Sequence, residues 1–378
     1  MEQGLLNTCL IDLQEKKGAR LVPMSGWNLP VFYSGVIEEY RATRKRVGIF
    51  DVSQLGRFLI TGDSACALLD YVLTRNISSL PKGKGALSLM CNAGGGILDH
   101  VICFRVEENR FLLVVNAITR EKDLAWIVEK SHSFPGVQIE DCTLETGMLA
   151  LQGPRTFAVL DRVFWELGLG GLAEEFSYSG RFRVAEIHPG FPLPMLVATT
   201  GYTGEPGVEI MGPANLIRKF WNRLVAHGAL PCGLGARDIL RLEMGYLSYG
   251  QDVTEDNDPY EVCLGWTIKL GKLSDFVGKA ALRAKASRQP DRTLVGLIID
   301  GPRIPQADAE VTVNRSLSGK VTSSVFSPWL NTPVALACVE GFSGQWKADA
   351  EIQIQGDRVR AEVVKPPLID LAKPPREF

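Results

Sequence analysis

No stretch of this 378-residue chain approaches the about 20 consecutive apolar residues that a membrane-spanning helix needs. Nor is there an excess of either charge. Lys and Arg number 41 against 43 Asp and Glu, a net charge of −2, and the two signs are interspersed. That excludes the polybasic surface of a nucleic-acid binder or of a protein held on anionic lipid. Histidine is scarce, with only His100, His132, His188 and His227, none at close ligand spacing, so no metal site is expected. The eight cysteines form no Cys-x-x-Cys pair and lie scattered in mostly apolar segments, which predicts buried, reduced thiols and a reducing cytoplasm. The opening MEQGLLNTCLIDLQEKK carries acidic residues and no long apolar core, so it reads as neither a signal nor a transit peptide.

What is present is enough apolar sequence, 46%, for a globular protein too long for one ordinary core, and two or three domains are expected. Strands alternate with helices over the first two-thirds. RFLITG from Arg57 reads as a strand, and SACALLDYVL from Ser64 has helical apolar spacing. GALSLMCN and LDHVICFRV flank Ala93-Gly94-Gly95-Gly96, a connection suited to a β-hairpin. RFLLVVN leads into a helix starting near Thr119, where Thr119 is expected to cap and Lys122 and Asp123 to begin the solvated face.

FLITGDSACALLDYV (Phe58 to Val72) lines up without a gap on LALQGPRTFAVLDRV (Leu149 to Val163), each a strand, a Gly turn and a helix. The match predicts two related α+β units, the second completed by RFRVAEI, PMLVATT, VEIMG and a helix from Ala214 to His227. After about Ser287 the pattern changes to short β segments: TLVGLII, AEVTV, KVTSSVF, PVALACV, AEIQI and RVRAEVV. These predict a separate antiparallel β-barrel or jelly-roll-like domain, followed by LAKPPREF as a loosely held tail.

The chemistry concentrates in TTGYTGEPGVEI and GLGARDILRLEMGYLSYGQ, which place Tyr202, Glu209, Arg237 and Tyr246 within one short span. Two phenols, a carboxylate and a guanidinium suit a flat heterocycle with an acidic tail. Aromatic faces cover the ring, the carboxylate accepts paired N–H bonds from an amidine-like edge, and Arg forks onto a carboxylate. The same residue types also serve in packing, or for Arg237 in an ion pair with Asp238.

These two segments resemble the GYTGExGxE and CGLGARDxLRLExGxxLYGQ patterns of the glycine cleavage T-protein family, the tetrahydrofolate-dependent aminomethyltransferases. The resemblance continues through SGWNLPVFYSGVIEEYRATRKRVGIFDVSQLG, MCNAGGGILDH, LLVVNAITREKD, GWTIKL, DFVGKAAL and GKVTSSVFSPWLNTPVALACV, which span nearly the whole chain in family order. It implies an α+β protein of three domains in a ring: 1–54 with 146–240, 55–145 with 241–286, and 287–378. It implies tetrahydrofolate as cofactor, the lipoylated H-protein as partner, a cytoplasmic location, and a monomer or weak dimer. By the same resemblance Asn116, Tyr202, Glu209, Arg237 and Tyr246 line the folate pocket, with Glu209 on the amino-pyrimidine edge.

One position departs with chemical consequence. The family's catalytic carboxylate is the second Asp of GGxxDD, and here Gly95-Gly96-Ile97-Leu98-Asp99-His100 ends in His. Asp99 does not simply take over, because successive strand residues point to opposite faces. A neutral imidazole at His100 accepts a proton but supplies no negative charge to a developing cation. Gln54 and Leu55 stand where His and Met are usual, and Tyr40 where His is common. The departures leave two alternatives open: a folate-dependent demethylase or methyltransferase using another donor, or a folate-binding regulator without turnover. The related branch with a Cys-containing KGCYxGQE motif is not matched, since Thr199 to Gly207 has no Cys.

Overall fold

A computed structural model describes residues 4–188 and 194–375. The start of the N-terminal segment and the last three residues of the expected tail lie outside them. The chain divides into two compact units, Met1–Ser88 with His100–Arg237, and Leu89–Asp99 with Asp238–Phe378.

The first unit holds the two related motifs. One sheet has six strands in the order Val184–Ile187, Met195–Ala198, Gly207–Pro213, Thr146–Gln152, Gly48–Asp51 and Leu230–Cys232. The other has five, ordered Lys84–Cys91, Ile97–Glu107, Arg110–Val115, Gly56–Thr61 and Gln138–Asp141. Their first four strands follow the same order relative to the sequence, so the likeness of Phe58–Val72 to Leu149–Val163 reflects one motif used twice.

The turn glycines explain why that likeness is legible. Gly62 and Gly153 occupy equivalent places with φ of 113° and 135°, a region that side chains disfavour. A Cβ on Gly153 would lie 2.6 Å from the Arg46 carbonyl oxygen, and one on Gly62 would collide with that of Gly136. In each copy the strand can turn into its helix only because nothing projects there.

Helices Thr156–Glu166, Leu172–Tyr178 and Ala214–Ala226 pack on the six-stranded sheet around Leu160, Phe164, Phe176, Phe220 and Trp221, all essentially inaccessible. Each such side chain stabilises the fold by about 1.5–3 kcal/mol through removal from water.

Two expectations for the helix Arg120–Ser131 are corrected. Thr119 stands at the cap position, but its hydroxyl donates to the Asn116 carbonyl at 3.2 Å and accepts no helix N–H. Asp123 is buried, 1% exposed, because the helix turns this part of its first turn inward. The cysteines are all free, but only Cys91, Cys103 and Cys232 are buried. Cys263 is exposed, on a turn where its φ is 59°.

In the second unit the six β segments after residue 287 close into an antiparallel barrel. Its strands run in the order Arg292–Ile299, Thr332–Glu340, Leu317–Ser327, Glu310–Val313, Asp349–Ile354 and Asp357–Val364. Alternation divides the strands Arg292–Ile299 and Thr332–Glu340 between two cores. Val295, Leu297 and Ile299 fill the barrel, while Leu294, with Val334 and Leu336, packs against Leu242, Phe276 and Leu282. Just before the tail, Leu368 and Ile369 are buried.

Candidate functional site

Glu209 lies mid-strand in Gly207–Pro213, paired with Ala150 on one side and Ala198 on the other. It is 7% exposed. Burial pushes its carboxyl above the usual carboxylate range, opposed by a hydrogen bond donated by the Thr200 hydroxyl and by the charge of Arg237. A carboxylate has about four acceptor positions, so one hydroxyl leaves most of its capacity unused.

Tyr202 sits in the loop between the strands Met195–Ala198 and Gly207–Pro213, and that loop is braced from below. Gln152 Nε2 donates to the Thr200 carbonyl at 3.1 Å, and Thr203 Oγ1 donates to Gln152 Oε1 at 2.9 Å. Arg44 reaches the Thr203 carbonyl at 2.8 Å and Glu205 at 2.9 Å. A Cβ on Gly201 or Gly207 would strike the Gln152 side chain, which is why the motif needs glycine at both.

Arg237 is in the first turn of the helix Leu234–Glu243. Its guanidinium carbon lies 4.6 Å from the centroid of the Tyr202 ring, a cation–π stack. Pairing with Asp238 is not what holds Arg237, because Asp238 accepts instead from Arg241 Nε at 2.7 Å. Tyr202, Glu209 and Arg237 therefore form one group in the first unit: an aromatic face, a cation on it, and a buried carboxylate within the field of that cation.

Asn116 and His100 form a second group. Asn116 Nδ2 donates to the His100 carbonyl at 3.2 Å and lies 3.5 Å from His100 Nε2. The longer distance makes a weak bond at most. Asp99 and Tyr246 belong to the second unit. Asp99 is fully buried while His100 is half-buried, as alternation along a strand requires. The carbonyl of Tyr246 accepts from Arg241 Nη1 at 3.1 Å, and its N–H donates to the Arg241 carbonyl.

Sequence reasoning missed Arg57 and Asp51, and it named Tyr40 and Gln54 only as departures from the family pattern. Arg57, 1% exposed, donates to the carbonyls of Ser53, Leu55, Thr143 and Thr146 and to the Thr146 hydroxyl. It thereby clamps the turn that presents Gln54, whose buried Oε1 has no partner among the described residues. An orphaned buried acceptor of this kind fits an N–H donor from outside the chain. Tyr40 is fully buried beneath Arg44, 5.5 Å from ring centroid to guanidinium carbon. Asp51, also buried and pushed up by burial, accepts from Thr8 at 2.6 Å and Gln14 at 2.5 Å. For Arg57 and Asp51 the local signal was a polar residue inside an apolar run.

The family model for the GCVT N-terminal domain matches residues 10–272, and that for the glycine cleavage T-protein C-terminal barrel domain matches 292–370. The aminomethyltransferase of Thermotoga maritima is 41% identical over 336 residues, 88% of this chain and 89% of that protein. That of Shouchella clausii is 36% identical over 377 residues, 99% of this chain and 100% of that protein. The crystal structure of glycine cleavage system aminomethyltransferase T from Bartonella henselae superposes with a TM-score of 0.87 at 30% identity, covering 97% and 98% of the two chains. With both family models matched and relatives alike over almost their full length, this chain belongs to the glycine cleavage T-protein family.

Proposed function

We infer that this protein is the aminomethyltransferase of a glycine cleavage system, moving a one-carbon unit from an aminomethyl donor to tetrahydrofolate with release of ammonia. The observation that carries the reading is the end-to-end likeness to aminomethyltransferases, 36–41% identical over 88–99% of this chain. The donor is the aminomethyl group on the lipoyl arm of an H-protein, and the setting is the bacterial cytoplasm. Among the described residues no helix is long and apolar enough to cross a membrane.

The residues present fit tetrahydrofolate. Glu209 would accept the paired N–H groups of the amino-pyrimidine edge, a match between a planar anion and a planar donor pair. The charge of Arg237 opposes the upward push of burial on the Glu209 carboxyl, and the paired N–H groups of the ligand would favour its ionised form further. Tyr202 offers the ring an aromatic face, and Asn116 shapes the pocket beside His100. Tetrahydrofolate, when bound, supplies the nucleophilic nitrogen that takes the methylene carbon. The His100 imidazole would take up the proton that the attacking nitrogen sheds and pass it to the leaving amine, so that ammonia departs neutral.

The test is turnover. Purified protein with tetrahydrofolate and aminomethyl-loaded H-protein should yield 5,10-methylenetetrahydrofolate and ammonia in equal amounts. Folate binding without product from this donor would reject the reading and point to a different donor or to a regulator.

A further inference from the structure

Glu39 is completely buried and carries no salt bridge among the described residues, yet its carboxylate joins two segments far apart in sequence. Oε1 accepts the backbone N–H groups of Tyr33 at 2.5 Å, Ser34 at 2.9 Å and Gly35 at 3.2 Å. Oε2 accepts the N–H of Gly233 at 2.8 Å. Gly233 immediately precedes the helix Leu234–Glu243, and its carbonyl accepts the N–H of Arg237 at 3.2 Å. One carboxylate is thus two hydrogen bonds from the backbone of Arg237.

The surroundings make this a tight joint. A Cβ on Gly233 would collide with the backbone of Val31 and Phe32, and one on Gly235 would sit 2.7 Å from a Val36 methyl. The Gly233–Gly235 turn is therefore pressed against the segment whose amides Glu39 collects. The backbone of Glu39 takes part as well, its carbonyl accepting from Thr43 Oγ1 at 3.1 Å and from Cys232 Sγ at 3.6 Å. Gly233, Leu234 and Arg237 line one wall of a narrow crevice that Leu29 and Asp51 also line.

We infer that Glu39 is a positioning residue for Arg237: by pinning the Gly233 amide to the Tyr33–Gly35 loop, it sets where the Arg237 guanidinium stands over Tyr202. Four backbone donors on one carboxylate form an anion cradle that an amide cannot replace, since a glutamine would turn an N–H toward the same donors. The inference rests on the folate reading for the purpose of Arg237, but not for the geometry itself.

Two measurements test it. In hydrogen exchange of the ligand-free protein, Glu39→Gln should lose protection at the amides of 33–35 and 233–237 while the six-stranded sheet keeps its own. In folate titration, Glu39→Gln and Arg237→Lys should each weaken affinity about tenfold, and the double variant should be no weaker than about tenfold, because both remove one device. If Glu39→Gln does not fold, Glu39→Asp keeps the charge, shortens the reach by one methylene and enters the same cycle. Unchanged exchange at 233–237 would overturn the inference, as would single effects that multiply to about a hundredfold. If the unsubstituted protein bound no folate, the reading of the site would fall, and the exchange result alone would decide the role of Glu39.

Discussion

Replacing Glu209 by glutamine should make the ligand-free protein more stable while weakening folate binding. The folded-state pKa of Glu209 is raised, with burial the largest cause. Between the ordinary carboxylate pKa and the raised one, the folded protein binds more protons than the unfolded chain. Stability therefore falls as pH rises through that window, and above it the ionised group costs stability. Glutamine keeps the shape and can still accept the Thr200 hydroxyl hydrogen bond. Removing a buried charge in this way should stabilise by about 1–2 kcal/mol, with Arg237, partly exposed, left to water. For a chain of this size that is a rise of about 1–3 °C in the thermal midpoint at pH 7–8, shrinking towards pH 5. The same change removes a charge-assisted acceptor from the ligand, worth about 1.5–3 kcal/mol, or about 10- to 100-fold in affinity. Circular dichroism melts across pH 5–8 and a tetrahydrofolate titration read both effects. Destabilisation at every pH, or an unchanged affinity, would refute the reasoning.

Other substitutions separate chemistry from scaffold. His100→Asp should raise the turnover number about tenfold or more by supplying negative charge where cation develops, with folate affinity within about twofold, measured in the coupled H-protein assay. Arg57→Met should destabilise by about 3 kcal/mol or more, read as a lowered urea midpoint, because it strands four carbonyls and leaves the Ser53–Leu55 turn unclamped. Gly62→Ala and Gly153→Ala should each cost about 2–4 kcal/mol by the same measure, since φ and the facing carbonyl both oppose a Cβ, whereas Gly136→Ala meets no neighbour and should cost less.

The barrel was legible because its strands alternate: Val295, Leu297 and Ile299 face one core and Leu294 another, and that period is written in adjacent residues. The doubled motif was legible because Gly62 and Gly153 solve the same turn problem in the same way. Tyr202, Glu209 and Arg237 stood out by residue type, and the structure adds that the cation lies on the ring and acts on the carboxylate. What stayed hidden was long-range. Glu39 reaches Gly233 across 194 positions, Arg57 reaches Thr143 across 86 and Arg44 reaches Thr203 across 159, and no local pattern announces a partner so distant. The errors at Thr119 and Asp123 have a similar origin. A cap position and a first-turn acid are local signals, and here tertiary packing of the helix overrides both.

The most direct test of the account is a crystal structure of the protein with tetrahydrofolate bound. It should show the amino-pyrimidine edge donating two hydrogen bonds to Glu209 at about 2.7–2.9 Å, with Arg237 still stacked on Tyr202. A pterin bound elsewhere, with Glu209 touching only Thr200, would contradict it.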